Sequence, residues 1–317
     1  MTRRTAIFDL GGVVLSWDPV RAFKAEVDVD EARQLMRDVD FANWNRRNDE
    51  GRRFAEGEAE VARDWPQYAE TITAYRRYFD RALTGPVPGT SAVIAELARA
   101  GVRLLGLTNW SDETFPQAQR RFGILKRLEA IVVSGREGII KPDPRLYKLL
   151  LDRFGVDAST AVFVDDNPAN CAPATDLGLT AIAFTDADSL RARLVQLGLL
   201  GERPPITEPL YHTTQRVAWD EAQRSGSYPW SSHGTSYEAE GFVHLAYRGQ
   251  VEAVVERYFG RFEPEELVVL QLDPERARPV VEEGTTYSFP HLFAPLTQGM
   301  VVRELDVREL VGRSAQP

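Results

Sequence analysis

Cysteine is nearly absent from this chain: Cys171 stands alone among 317 residues. One thiol cannot build an intramolecular disulfide framework or a cysteine-ligated metal cluster. Lysine is scarce as well. Four lysines (Lys24, Lys126, Lys141, Lys148) leave 34 arginines in a basic set of 38, so each lysine draws attention. No apolar run approaches the ~20 residues needed to cross a bilayer. The opening MTRRTAIFDLGGVVL sets positive charge before apolar residues, yet Asp9 interrupts the run and no small-residue cleavage site follows. These absences predict a cytoplasmic protein with no membrane partner. A formal net charge of −9 argues against a general electrostatic grip, so no nucleic acid is expected as a partner. Internal repeats and low-complexity tracts are also missing. What is present, 43% hydrophobic and 27% charged residues, suits a globular chain with a sizeable core.

Up to about residue 200, short apolar segments alternate with amphipathic ones. TAIFDLGG, VRLLGLTNW, AIVVSG, TAVFVDDN and TAIAFTD read as strands. SAVIAELARAG, ETFPQAQRRFG, PRLYKLLLDRFG, NCAPATDLG and SLRARLVQLG read as helices, several of them stopped by glycine. Near-continuous Val/Ile/Leu strands alternating with helices predict an α/β fold: a Rossmann-like, doubly wound parallel sheet covered on both faces. Residues 17 to about 86 break this rhythm, being charged, arginine-rich and helical in pattern. An all-helical insertion after the first strand would sit over the carboxyl ends of the strands. Within it Trp44, Tyr68 and Tyr75 could line a pocket, but aromatics at helical spacing more often pack as core.

The stretch GERPPITEP, 201–209, clusters proline and charge and reads as a linker. It separates a first domain, 1–200, from a C-terminal α+β domain, 210–317. All four histidines lie in the second domain and no lysine does. There, EPLYHTT, GFVHLAY, ELVVLQLD and MVVRELDV suggest strands, and RVAWDEAQRSG and QVEAVVERYFG suggest helices.

Parallel α/β sheets bind ligands at the carboxyl ends of their strands. The first strand ends in Asp9, the second in Thr108 and Asn109, and the fourth in Asp165 and Asp166, followed by Asn167 and Asn170. Lys141, in GIIKPDPRLY, comes just before a helix. Carboxylates, a hydroxyl, an amide and one ammonium suit Mg²⁺ together with a phosphate. Taken singly each has a plainer reading: an aspartate after a strand is more often a cap or turn residue, and Asp-Asp-Asn-Pro could be a turn.

Together, in order and on these elements, the motifs FDLGG, LTNWS, IIKPDPRLY and VFVDDNPAN resemble the haloacid dehalogenase-like hydrolase superfamily over roughly residues 1–200. The insertion is similar to that family's small helical cap. The resemblance implies a Mg²⁺-dependent phosphatase acting on a small phosphorylated metabolite through an aspartyl-phosphate on Asp9. It implies Mg²⁺ held by Asp9, the Gly11 carbonyl and Asp166, with Asp165 and Asn170 in support. Thr108, Asn109 and Lys141 would hold the phosphoryl group, Lys141 also neutralising charge. One departure stands out. Most phosphatases of this superfamily carry a second aspartate two residues after the first, as acid and base, and here that residue is Gly11. The dehalogenase branch also lacks it, but the Asp165–Asp166 doublet calls for a cation and the aromatic-Gly-Thr opening of that branch is missing.

In the second domain, LYHTT, WDEAQRSGSY, EAEGFVHLAYRGQ, LQLD and FPHLFAPL resemble a small uncharacterised bacterial family that is distantly similar to ADP-ribosyltransferase-like folds. That implies His212 as a contact to NAD or an ADP-ribose derivative, with Glu240, His244, Glu283 and His291 completing a polar pocket. Each histidine also sits beside apolar residues and could be a hydrogen-bonded core residue. The spacings show no typical zinc pattern. Two other functions remain open: a phospho-ligand-binding or regulatory protein on a degenerate fold, and an NAD-dependent transferase acting through the second domain.

Overall fold

The computed structural model describes residues 4–284 and 287–311. The chain divides into two compact units, Met1–Thr90 with Ala100–Leu199 and Ser91–Arg99 with Leu200–Pro317.

The strands of the first unit are β1 (Thr5–Phe8), β2 (Leu15–Trp17), β3 (Leu83–Pro86), β4 (Arg103–Thr108), β5 (Ala130–Val133), β6 (Ala161–Asp165) and β7 (Thr180–Ala183). Five of them form the expected parallel sheet, in the order β5-β4-β1-β6-β7. β1 and β6 are buried along their whole length, which is why TAIF and AVFVD show no polar alternation. Phe8 pairs in register with Gly106 and Val164, so Asp9, Thr108 and Asp165 emerge together at the carboxyl edge. Below that edge Ile7, Leu105, Val132 and Phe163 pack against Leu146, Tyr147 and Leu150. Those three lie on one face of the helix Pro144–Phe154. Asp143 caps this helix by accepting the Arg145 N–H at 2.9 Å, and Gly155 ends it at φ 59°, where a side chain would be strained.

β2 and β3 pair antiparallel and carry the inserted segment between them. Its longer helices are Val29–Asp38, Phe41–Asp49 and Phe54–Asp64. Asp28 starts the first of them by accepting the N–H groups of Asp30 and Glu31, each at 2.9 Å. An aromatic cluster holds the insertion together: Phe41, Trp44, Phe54 and Phe79 each place a ring 5.0–6.0 Å from that of Tyr75. Trp44 and Tyr75 are therefore core, as their spacing suggested. Tyr68 lies outside the cluster, partly exposed, with its hydroxyl 2.6 Å from Asp38.

In the second unit the strands are β8 (Leu210–Gln215), β9 (Trp230–Ser232), β10 (Thr235–Ser236), β11 (Val243–His244), β12 (Leu267–Leu272), β13 (Val280–Glu283), β14 (Phe289–Leu292) and β15 (Val301–Leu305). They form three antiparallel sheets, β15-β12-β8, β11-β14-β13 and β10-β9. β12 is buried on both faces. Val268, Leu270 and Leu272 join Leu210, Trp219 and Leu292 in one cluster, while Leu267 and Val269 join Tyr211, Val251 and Leu305 in another. Pairing is shorter than the pattern predicted around GFVHLAY, where only Val243 and His244 are strand. The helical stretch Ser91–Arg99, expected with the first domain, groups with this unit, where Ala92 and Ala95 pack with Phe242, Val281 and Phe293. Among the described residues no helix is long and apolar enough to cross a membrane.

Phe163 is fully buried, its ring 5.3 Å from that of Tyr147. Phe163→Ala is expected to destabilise the protein by about 3–5 kcal/mol, through lost burial and the cavity left behind. Urea unfolding of the variant against the native chain measures this as a lower midpoint with an unchanged slope.

Candidate active site

The site is built around one lysine. Lys141 is 2% exposed, and its Nζ lies 2.9 Å from Asp9 Oδ1 and 2.6 Å from Asp165 Oδ2. A buried ammonium is tolerated only where opposite charge and hydrogen bonds replace water. The supports are explicit. Asn109 Nδ2 donates to the Lys141 carbonyl at 3.0 Å, and the Lys141 N–H donates to Asn109 Oδ1 at 2.8 Å. Asp165 is sealed from solvent and also takes the Asn170 amide, at 2.9 and 3.1 Å, and the Asn167 N–H at 2.9 Å. Asn170 is held in turn by Tyr147, whose hydroxyl donates to its carbonyl at 2.8 Å.

The structure thus brings Asp9, Lys141, Asp165, Asp166 and Asn170 together, with Asn109 clamping the lysine's backbone. One N–H of the Asn109 amide serves that clamp, so this residue positions Lys141 while its second N–H remains for the cavity that Asn109 also lines. Thr108 Oγ1 is buried and has no hydrogen-bond partner among the described residues. A buried hydroxyl without a partner at a strand end is an unusual cost, relieved when an acceptor binds.

Carboxylate oxygens of Asp9, Asp165 and Asp166 lie within 4.8 Å of one another. Lys141 answers Asp9 and Asp165, while Asp166 has no ion-pair partner among the described residues. Burial pushes the Asp9 carboxyl above its ordinary value, opposed by Lys141 and reinforced by Asp165. Asp166, on the exposed side of the group, is also pushed up, first by partial desolvation and then by Asp165. Three carboxylates against one ammonium leave charge that a divalent cation would neutralise, and hard oxygen donors suit Mg²⁺. The loop at Gly12 fits the same reading. Its φ is +73°, and a Cβ there would stand 2.2 Å from Asp166 Oδ2, so glycine keeps this carboxylate's place clear. Asp9 Oδ1 also takes the Leu10 N–H at 2.7 Å, which leaves Oδ2 uncommitted among the described contacts.

A cavity of about 320 Å³ opens over this edge. Asp9, Gly11, Asn109 and Asp166 contribute from the sheet loops, and Trp17, Asn45, Asp49, Tyr75 and Phe79 from the ribbon and insertion. The sequence reading missed Asp49. This residue ends the helix Phe41–Asp49, where the dipole disfavours a carboxylate. Its carboxyl takes the Asn45 amide at 3.0 Å and the Ser111 N–H, and its carbonyl takes the Ser134 hydroxyl at 2.5 Å. Burial pushes it up to about 8, with the Ser111 bond opposing and the charge of Asp9 adding. The signal available in advance was an acidic residue in the last turn of a helix, just before Glu50-Gly51.

The histidines of the second unit separate into different settings. His212 is 2% exposed, with Nδ1 2.8 Å from the His244 carbonyl and Nε2 2.7 Å from the Tyr228 hydroxyl. Because a carbonyl only accepts, Nδ1 carries the proton, and both nitrogens are satisfied inside the fold. Burial pushes His212 down to about 4, with the His244 bond opposing. His244 is also pushed down to about 4, first by burial and then by His291 and His212. The His244 and His291 rings meet at 4.9 Å; His291 stacks on Phe242 at 4.1 Å and pairs with Glu283 at 2.9 Å. Among the described residues no hydrogen bond joins Glu240 to a histidine.

Comparison with known proteins agrees with this division. The family profile described as haloacid dehalogenase-like hydrolase matches residues 3–178, and one described as a protein of unknown function (DUF952) matches residues 213–304. Over 203 residues the chain is 26% identical to a sesquiterpene phosphatase of Aspergillus oryzae, covering 62% of this chain and 97% of that one. Over 228 residues it is 28% identical to mouse acyl-CoA dehydrogenase family member 10, covering 63% of this chain but only 20% of that protein. A predicted HAD-like family hydrolase from Porphyromonas gingivalis overlays with a TM-score of 0.48 and 20% identity, over 64% of this chain and all of that one.

The depressed histidines give a pH dependence with a definite sign. Between pH 6.5 and about 4 the unfolded chain binds protons that folded His212 refuses, so its stabilising effect is present above 6.5 and lost as pH falls. The slope is at most about 1.4 kcal/mol per pH unit for one histidine. Thermal unfolding across this window is expected to fall less steeply in His212→Gln than in the native chain.

Proposed function

Since the chain belongs to the haloacid dehalogenase-like hydrolase family, as the match over residues 3–178 shows, we propose that it is a Mg²⁺-dependent phosphatase acting on a small phosphate monoester. The observation that carries this reading is the buried ammonium of Lys141 between Asp9 and Asp165, beneath a cavity and beside the unpaired carboxylate of Asp166. Asp9 is the nucleophile: its oxygen attacks phosphorus, the bond to the leaving oxygen breaks, and an aspartyl-phosphate forms that water then hydrolyses. Asp9, the Gly11 carbonyl and Asp166 would hold Mg²⁺, which supplies positive charge to the phosphoryl oxygens. Lys141 lowers the repulsion between the Asp9 anion and the incoming phosphate. Thr108 offers its unpartnered hydroxyl to a phosphoryl oxygen, Asn109 fixes the lysine, and Asp165 and Asn170 hold the lysine's charged end.

Relatives named as phosphatases support the reaction class, the Aspergillus enzyme among them. For the C-terminal unit, an NAD or ADP-ribose ligand rests on the resemblance alone, and the internal bonds of His212 favour a structural role for that residue.

The test is phosphate release from a panel of sugar phosphates, nucleotides and ADP-ribose phosphates, with Mg²⁺ or a chelator. Native chain with Mg²⁺ is expected to turn over at least one class, chelation to abolish release, and Asp9→Asn to cost about 10³-fold or more, as loss of a nucleophile does. Turnover that survives Asp9→Asn would overturn the assignment. Tight binding of phosphorylated ligands without turnover would mark a binding protein instead.

A further inference from the structure

We propose that Asp49, carried by the inserted helix Phe41–Asp49, is the general acid and base of this site, in the role that no side chain at Gly11 can fill. The proposal rests on the phosphatase reading above and concerns its proton transfers. Four titratable side chains contribute to the cavity: Asp9, Asp49, Tyr75 and Asp166. Asp9 is committed to attack and to the Lys141 ion pair. Asp166 stands against the Gly12 loop, where the cation would sit. Tyr75 is packed among Phe41, Trp44, Phe54 and Phe79, and burial holds its hydroxyl far above the range of a useful acid. Asp49 is left, and its surroundings suit the task.

Three anchors fix its position: the Asn45 amide from its own helix, the Ser111 N–H from the loop after β4, and the Ser134 hydroxyl just after β5. Its place at a helix carboxyl end and its half-buried setting both favour the protonated acid near neutral pH, the form a departing alkoxide needs. The space beside Gly11 is open, with no atom within 4 Å of where a Cβ would be. The missing carboxylate has thus not been replaced by a neighbouring side chain filling that spot.

The proton balance closes over both steps. As Asp9 attacks phosphorus, the bond to the leaving oxygen breaks, its electron pair stays on that oxygen, and Asp49 gives it a proton, releasing an alcohol. In the second step the Asp49 carboxylate takes a proton from water as the water oxygen attacks phosphorus. The bond to Asp9 breaks, phosphate leaves, and Asp49 is again protonated.

A leaving-group series tests this. kcat/KM is measured with Mg²⁺ on ethyl, phenyl, 4-nitrophenyl and 2,4-dinitrophenyl phosphate for the native chain, Asp49→Asn, and Asp49→Asn combined with Gly11→Asp. Loss of a general acid costs about 10²–10⁴-fold where the leaving oxygen must be protonated. Asp49→Asn is therefore expected to lose that much on ethyl phosphate and at least about tenfold less on the 2,4-dinitrophenyl ester, whose leaving group departs as an anion. Gly11→Asp, entering open space, is expected to restore part of the ethyl phosphate activity. Equal losses on all esters, or none, would overturn the assignment while leaving the phosphatase reading standing. A native chain inert on every ester would overturn both.

Discussion

The buried ammonium of Lys141 between two carboxylates is the constraint around which the first unit is arranged. Removing Lys141 would leave both carboxylates desolvated without their cation, at a cost of several kcal/mol in a water-poor site, whereas removing one carboxylate would leave the ammonium held by the other. The surrounding hydrogen bonds follow from that necessity. Asn109 grips the lysine's backbone from the end of β4, and Asn170 grips Asp165 from the helix Pro168–Asp176. Tyr147, on the preceding helix Pro144–Phe154, grips Asn170. Three loops at the carboxyl edge are thereby tied to one charge. The remaining carboxylate, Asp166, is left in excess, and this excess makes the edge attractive to a cation.

Above that edge, the insertion serves two purposes with one set of aromatics. Tyr75 is both the centre of the ring cluster and part of the cavity wall. The packing that stabilises the insertion therefore also shapes the space for substrate, and a wall made of Trp17, Tyr75 and Phe79 is stiff and largely apolar. Such a wall strengthens any charge interaction made inside it, because it holds little water.

Much of this was legible in the chain itself, for specific reasons. Asp9, Thr108 and Asp165 could be found because buried parallel strands announce themselves as unbroken apolar runs, and their ends are where ligands bind. Lys141 stood out through rarity and through its place before a capped helix. The role of Asn109 was hidden because a side-chain bond to the backbone of residue 141 has no signature in spacing. Asp49 was hidden for another reason: it lies in a segment crowded with charge, forty residues from Asp9, and only folding brings the two to one cavity. In the second unit, β9, β10 and β13 are only two to four residues long and partly polar, so local pattern did not announce them although each pairs with a strand close by in the chain. His212 could be read as a site residue or, more readily, as a hydrogen-bonded core residue, and its two internal hydrogen bonds favour the core.

An acid on the inserted helix changes what the insertion is for. A carboxylate on the loop after β1 would be in place whenever the sheet is folded. Asp49 is in place only when its helix is seated, because two of its three anchors, Ser111 and Ser134, belong to the loops of the sheet. Phe54 adds a further tie across the same seam, its N–H bonded to Glu113 at 2.9 Å. Proton delivery and the walling of the cavity then fall to one element, since the helix that carries Asp49 also contributes to the wall. With glycine at position 11 offering no side chain, the seating of this helix and the supply of the acid are one structural requirement.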